Sequence, residues 1–304
     1  MATPAARAAP IGVVGVGNMG LAMAQRLLEG GHAVLARDIR ADAQARAVTA
    51  GAQAAPDCAA LARRCQLLIV VVVDAVQCEA VLFGDRGAHQ GLHSHSTVML
   101  CSTIGPHDVE SLATRLAGLG VPCIDAPMSG GPARARDGTM SLMVACADAV
   151  FARHEPVLRV LSSRLVRLGG RVGDGARTKL VNNLLAGVNL AAAAEALALA
   201  ERLGLDARRM LQVIEHSSAQ SWIGSDRLPR ALDGDFSPRA HTSLLAKDTT
   251  LAMSMAGDLA VTPLLGAVAQ DLFARACAQD LAQLDDASML TLMRRLFAND
   301  RARP

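Results

Sequence analysis

The chain has 304 residues, 51% of them hydrophobic, which is enough for a large core and more than one domain usually holds, so two domains are expected. A formal net charge of +2, five Phe, one Trp and no Tyr exclude the basic stripe and stacking platforms of a nucleic-acid binder. No stretch reads as a membrane span: the most apolar one, from Leu180 to Leu199, is interrupted by Asn182, Asn183, Asn189 and Glu195. The N-terminal tail of small residues lacks a continuous apolar segment, and a cytoplasmic protein is expected. The seven cysteines are odd in number, form no Cys-x-x-Cys pair and sit mostly in apolar runs, so they read as reduced core residues.

Short apolar runs at 11–14, 33–36, 67–73, 97–101, 121–126, 139–146 and 164–168 alternate with helical stretches. That order predicts an α/β fold: a doubly wound, Rossmann-type parallel sheet domain over residues 1–173. The run 67–73 is apolar without alternation, as a central strand covered on both faces requires. Beyond the Gly169 to Gly175 stretch, Ala- and Leu-rich segments at 176–202, 206–216, 242–256, 262–279 and 286–298 predict an all-α C-terminal domain over 174–304. It begins with a long inter-domain helix.

Ile11 to Val14 runs into Gly15-Val-Gly17-Asn18-Met19-Gly20 and then the amphipathic stretch from Leu21 to Leu28. Strand, glycine turn and helix in this order form a dinucleotide site. Gly15 permits the tight turn, Gly17 lets backbone approach a pyrophosphate, and Gly20 lets the helix pack close. Asp38 ends the next predicted strand 23 residues after Gly15, where an acid meets the ribose hydroxyls. A carboxylate there repels a 2′-phosphate, so NAD is expected in preference to NADP. Arg37 and Arg40 flank it, either as phosphate partners or as solvated surface charges.

Four-residue helical spacing aims the Lys179 amine and the Asn183 amide at one point, a pairing suited to moving the proton of an alcohol while holding its oxygen. A lysine at its ordinary pKa of ~10.4 is a poor base near neutrality, so such a site must desolvate it or place positive charge nearby. The turn Ser129-Gly130-Gly131 follows a predicted strand and either cradles a carboxylate with open N–H groups or is simply a turn. His89, His93 and His95 have no acid or cysteine at ligand spacing, so no metal site is expected. His216 beside Ser217-Ser218 reads as a helix-end polar cluster.

The glycine fingerprint, Ser102-Thr103-Ile104, Asp125-Ala-Pro-Met-Ser-Gly-Gly131 with Gly138-Thr139-Met140, Lys179 with Asn183, and Lys247-Asp248 occur in the order found in one family. Over nearly its whole length the chain resembles the 3-hydroxyisobutyrate dehydrogenase family of β-hydroxyacid dehydrogenases, which are 6-phosphogluconate dehydrogenase-like. The stretches 70–77, 184–195 and 233–239 look most like its L-threonate dehydrogenase branch, whereas Asn182-Asn183 follows the wider family. The resemblance implies that Lys179 is the general acid/base, that Asn183 orients the reacting hydroxyl, and that Ser129, Gly130 and Gly131 hold the substrate carboxylate. It also implies that Val71, Val72, Thr103 and Lys247 approach the nicotinamide half of NAD. The expected activity is NAD-dependent oxidation of a small hydroxy acid, by a homodimer or homotetramer without membrane or nucleic-acid partners. Imine reductases of the same architecture generally lack a lysine at the position matching Lys179, and non-catalytic relatives have lost it. The chain departs from the usual family pattern at Leu100 and at Val71-Val72-Val73.

Overall fold

The computed structural model describes residues 9–299. Nine strands form one sheet: β1 (Ile11–Val14), β2 (Val34–Arg37), β3 (Gln53–Ala54), β4 (Leu67–Val70), β5 (Thr97–Leu100), β6 (Cys123–Asp125), β7 (Met128–Ser129), β8 (Ser141–Ala145) and β9 (Arg164–Gly169). Their connections carry α1 (Asn18–Glu29), α2 (Ala41–Thr49), α3 (Cys58–Ala62), α4 (Ala75–Phe83), α5 (Pro106–Gly118), α6 (Gly131–Asp137) and α7 (Asp148–Leu161). The spatial order is β3-β2-β1-β4-β5-β6-β8-β7, with β9 beside β8. Pairing is parallel from β3 to β6, antiparallel where β8 meets β6 and β7, and parallel again between β8 and β9. The sheet is thus mostly parallel, with an antiparallel extension that uniform alternation of strand and helix does not signal.

Helices cover both faces of this sheet, and its strands alternate their side chains between two cores. Val13, Ile69, Met99 and Ile124 point to one core, with Met23 and Leu27 of α1 and Leu158 of α7. Val14, Leu68, Val70, Val98 and Leu100 point to the other, with Leu82 of α4 and Leu112 and Leu116 of α5. Buried His154 of α7 has its Nε2 2.9 Å from Thr97 Oγ1, and burial pushes its pKa down to about 4.

Strand β4 ends at Val70, three residues before the predicted end. Val72 N–H leaves the ladder and donates to Ser102 Oγ at 3.0 Å, and Asp74 then caps α4 by accepting from Gln77 N–H at 2.8 Å. The two-residue strands β3 and β7 are too short to show as apolar runs.

The chain divides into two compact units, Met1–Lys179 and Leu180–Pro304. The helix α8 (Asp174–Arg202) runs unbroken through this boundary. By length and composition alone α8 is apolar enough to cross a bilayer, contrary to the sequence expectation. Its buried positions, among them Leu190, Ala194 and Leu197, belong to the second unit's core, and core helices pass the same test.

The described part of the second unit also contains α9 (Ala207–Glu215), α10 (Trp222–Leu232), α11 (Thr242–Gly257), α12 (Leu264–Ala276) and α13 (Met289–Asn299), with Phe273 fully buried among them. Helix α10 was not among the expected segments. It contains Pro229, which breaks helical pattern, and it buries Arg227 and Arg230 against Asp285 and Asp286 where an amphipathic helix would bury apolar side chains. Burial pushes the Asp286 carboxyl up to about 6 despite the Arg227 guanidinium beside it.

Candidate active site

The carboxyl ends of the parallel strands line up: Arg37, Val14, Val70 and Leu100 are in register along β2, β1, β4 and β5, and Asp125 of β6 pairs with Leu100. The residues that follow those ends include Gly15, Asp38, Val71 and Thr103, all singled out from the sequence. Between β1 and β4 the strand order reverses direction, which in open α/β sheets is the crevice where ligands bind.

Gly15 has φ +87°, and a Cβ there would overlap the Val71 carbonyl oxygen; a Cβ at Gly20 would overlap the Gly15 carbonyl oxygen. Only glycine lets the two strand ends and the helix approach this closely. Gly17 occupies the N-cap position of α1 without a side-chain bond, so no side chain takes the first-turn N–H groups, whereas Asp57 and Asp74 cap α3 and α4. An uncapped helix N-terminus behind a glycine turn fits the pyrophosphate of a dinucleotide. Asn18 is exposed and Met19 half-buried at the start of α1.

Asp38 is 8% exposed and already employed by the turn: Oδ2 accepts from Val16 N–H at 2.8 Å and Oδ1 from Arg40 N–H at 2.9 Å. A carboxylate has lone pairs left for ribose hydroxyls. Arg37 is not a solvated charge; it donates to the Asp38 carbonyl at 2.6 Å and to Gln44 Oε1 at 3.1 Å. The exposed Arg40 guanidinium reaches over Gly17, where a Cβ would lie 3.8 Å from its Nη2. Val71 and Val72 are half-buried at the end of β4 beside this turn, and Thr103 follows Ser102, whose hydroxyl ties the β4 and β5 ends together.

After β7, Gly130 and Gly131 take φ of +127° and +73°, opening a sharp turn from Ser129 into α6. Four residues before Ser129, Asp125 fixes the start of α8: its Oδ2 accepts from Gly173 N–H at 2.8 Å and Ala176 N–H at 3.1 Å. Gly175 is needed there, since a Cβ would stand 2.7 Å from the carboxylate. Burial pushes the Asp125 carboxyl up to about 6 against the pull of these N–H donors. One turn along α8 lies Lys179, buried at 7% exposure.

In the second unit α8 carries Asn183, whose Nδ2 donates to Asp248 Oδ2 at 2.6 Å. Asn182 Nδ2 donates to Asn183 Oδ1 at 3.1 Å, and Lys247 Nζ lies 2.7 Å from Asp248 Oδ1. Asn183 and Lys247 are therefore brought together through one buried carboxylate. Ser102, Asp125 and Asp248 were quoted in sequence motifs without a role; their side chains contact groups 30, 48 and 65 residues away, which local spacing does not encode. Away from these residues, His89 Nδ1 lies 3.1 Å from the Leu82 carbonyl, and His216 closes the end of α9 with Nδ1 2.7 Å from the Gln212 carbonyl.

A sheet of order 3-2-1-4-5-6 with an uncapped glycine turn at its switch point defines a dinucleotide-binding protein. Residues 10–170 match the model described as the NAD binding domain of 6-phosphogluconate dehydrogenase, and residues 173–293 match that described as NAD-binding of NADP-dependent 3-hydroxyisobutyrate dehydrogenase. The chain is 37% identical to the L-threonate dehydrogenase of Cupriavidus necator, covering 93% of this chain and 95% of that one. It is 30% identical to the mitochondrial 3-hydroxyisobutyrate dehydrogenase of Bos taurus, over 94% and 87% of the two chains. The crystal structure of a 3-hydroxyisobutyrate dehydrogenase from Salmonella typhimurium superposes with a TM-score of 0.87 at 34% identity, over 93% and 99%. The chain belongs to the 3-hydroxyisobutyrate dehydrogenase family of β-hydroxyacid dehydrogenases.

Proposed function

We propose that this protein oxidises a small polyhydroxy acid of the L-threonate type with NAD, using Lys179 as general base. The burial of Lys179 one helical turn before Asn183, in a hydroxyacid dehydrogenase chain, is the observation that carries the reading. In it, the N–H groups of the Ser129-Gly130-Gly131 turn hold the substrate carboxylate and Asn183 orients the reacting hydroxyl. Lys179 takes the hydroxyl proton on Nζ as the C–H bond breaks and the C–O bond becomes a carbonyl. NAD, when bound, supplies the hydride acceptor. Val71, Val72, Thr103 and Lys247 are assigned to its nicotinamide half; Gly15, Gly17, Asn18, Met19 and Gly20 to its pyrophosphate; and Asp38 to its ribose.

The preference for NAD rests on the Asp38 carboxylate, which would repel a 2′-phosphate; Asp38→Ser should narrow the preference. Threonate is favoured by the name of the 37% identical relative and by the sequence likeness at 70–77 and 233–239. The test is a rate screen with NAD and NADP against L-threonate, D-threonate, erythronate, 3-hydroxyisobutyrate, glycerate and serine. A higher kcat/KM for 3-hydroxyisobutyrate than for every aldonate would overturn the substrate, and faster turnover with NADP at equal subsaturating concentration would overturn the cofactor preference.

The same reading includes a homo-oligomer. Val181, Leu185, Ala192 and Leu199 form one exposed apolar stripe along α8, with Leu185 at 60% exposure. Light scattering of Leu185→Glu/Leu199→Glu should show dissociation; a parent protein already monomeric at micromolar concentration would remove this part.

A further inference from the structure

The Asp248 carboxylate is 6% exposed and divides its two oxygens: Oδ2 accepts from Asn183 Nδ2 at 2.6 Å, and Oδ1 lies 2.7 Å from the Lys247 ammonium. The two ends of an asparagine amide are nearly the same size, so packing does not decide which way the group faces. A carboxylate decides it, because an ionised carboxylate only accepts and therefore selects the NH₂ end. Asn182 reinforces the choice by donating to Asn183 Oδ1 at 3.1 Å. The amide is left with one N–H and one Oδ1 lone pair for a ligand, in an orientation it would not keep unaided.

We propose that Asp248 is a positioning residue that sets the orientation of the Asn183 amide for the reacting hydroxyl, with Lys247 holding the carboxylate in place. This rests on the reading above that Asn183 orients the hydroxyl. Asp248 touches neither the reacting carbon nor its proton. Its effect passes through Asn183, and that makes the effect conditional on the amide being there.

The experiment is a double-mutant cycle on hydroxy-acid oxidation, with NAD affinity and melting temperature measured for every variant. Asp248→Asn keeps the shape but offers its own amide to the Asn183 amide, and is expected to lower kcat by about tenfold, within the loss that removing the Asn183 amide causes. In the Asn183→Ala background the same change should cost less than about threefold, because the group it positions has gone. Equal cost in both backgrounds would mean a general structural role and would overturn the inference. Asn183→Asp provides a second, independent test. It sets two carboxylates 2.6 Å apart, so it should be more damaging than Asn183→Ala and be relieved by adding Asp248→Asn. Asn183→Asp no worse than Asn183→Ala would also overturn the inference. Full activity of Asn183→Ala marks a different failure, that of the site reading itself, and the role of Asp248 falls with it.

Discussion

At Gly15 and Gly20 the backbone is itself the functional group, and its geometry tolerates no Cβ; at Asn183 and Asp248 the backbone is ordinary helix and two side chains do the holding. The strand ends of the first unit are placed by ladder register and close main-chain approach, with Asp38 and Ser102 adding side-chain ties to backbone N–H groups. In the second, the Asn183 and Asp248 side chains are held by a charged hydrogen bond and an ion pair. A site held by main chain fails sterically, whereas one held by side chains fails by misorientation and leaves the fold standing.

The largest effect should come from Lys179→Ala, which removes the proposed proton acceptor without touching the glycine turn: a loss of about 10²–10⁴-fold in rate with NAD binding retained in a titration. Lys179→Arg should not rescue it, since a guanidinium keeps its proton near neutrality. Turnover within a few-fold of the parent would break the assignment of the base.

Next in size is Gly20→Ala, which presses a methyl group into the Gly15 carbonyl. Overpacking of this kind costs about 1–3 kcal/mol, and NAD affinity should fall at least as steeply as stability. If calorimetric titration found unchanged affinity, main-chain proximity would not be what places the turn.

Asn183→Ala should cost less, about 1–2 kcal/mol in kcat/KM, as expected for one orienting hydrogen bond, with a smaller fall in melting temperature than Gly20→Ala because Asp248 keeps its Lys247 ion pair. A fall in melting temperature matching that of Gly20→Ala would erase the contrast between the two regions.

The last effect is a pH dependence of stability. Burial holds His154 down at about 4 from an ordinary 6.5, so the unfolded chain binds its proton first. The contribution of neutral His154 is fully present above pH 6.5 and is lost as pH falls toward 4. Asp125 and Asp286, raised to about 6, act in the opposite sense as pH falls through 6, so parent and variant must be compared. His154→Gln should flatten the parent's loss between pH 6.5 and 4 in denaturant titrations; identical pH profiles would remove His154 as the cause.

The same contrast explains what could be read from the chain. The glycine turn, the Asp38 spacing and seven of the nine strands were legible because each is a local pattern: φ, close approach or an apolar run. Lys179 and Asn183 were visible as a four-residue helical spacing. The link from Asn183 to Asp248 was not, since nothing in either segment marks a bond across 65 residues. Helix α10 escaped because its buried face carries arginines and a proline lies within it, and its partner carboxylates follow more than fifty residues later. The antiparallel extension escaped because an apolar run such as β8 does not show its direction and β7 has only two residues.

The cysteines give the first unit a built-in reporter. Cys65, Cys78, Cys101, Cys123 and Cys146 are buried and all belong to the sheet-bearing unit, while Cys277 of the helical unit is only half-buried. Burial pushes the Cys65 thiol up to about 12 and raises those of Cys101, Cys123 and Cys146. Thiolate is the reactive species, so these sulfurs should stay silent toward alkylating reagents while the sheet is intact. Pulse alkylation read by mass spectrometry would then time the opening of the nucleotide-binding half separately from that of the helices, on the unmodified chain and without an added label.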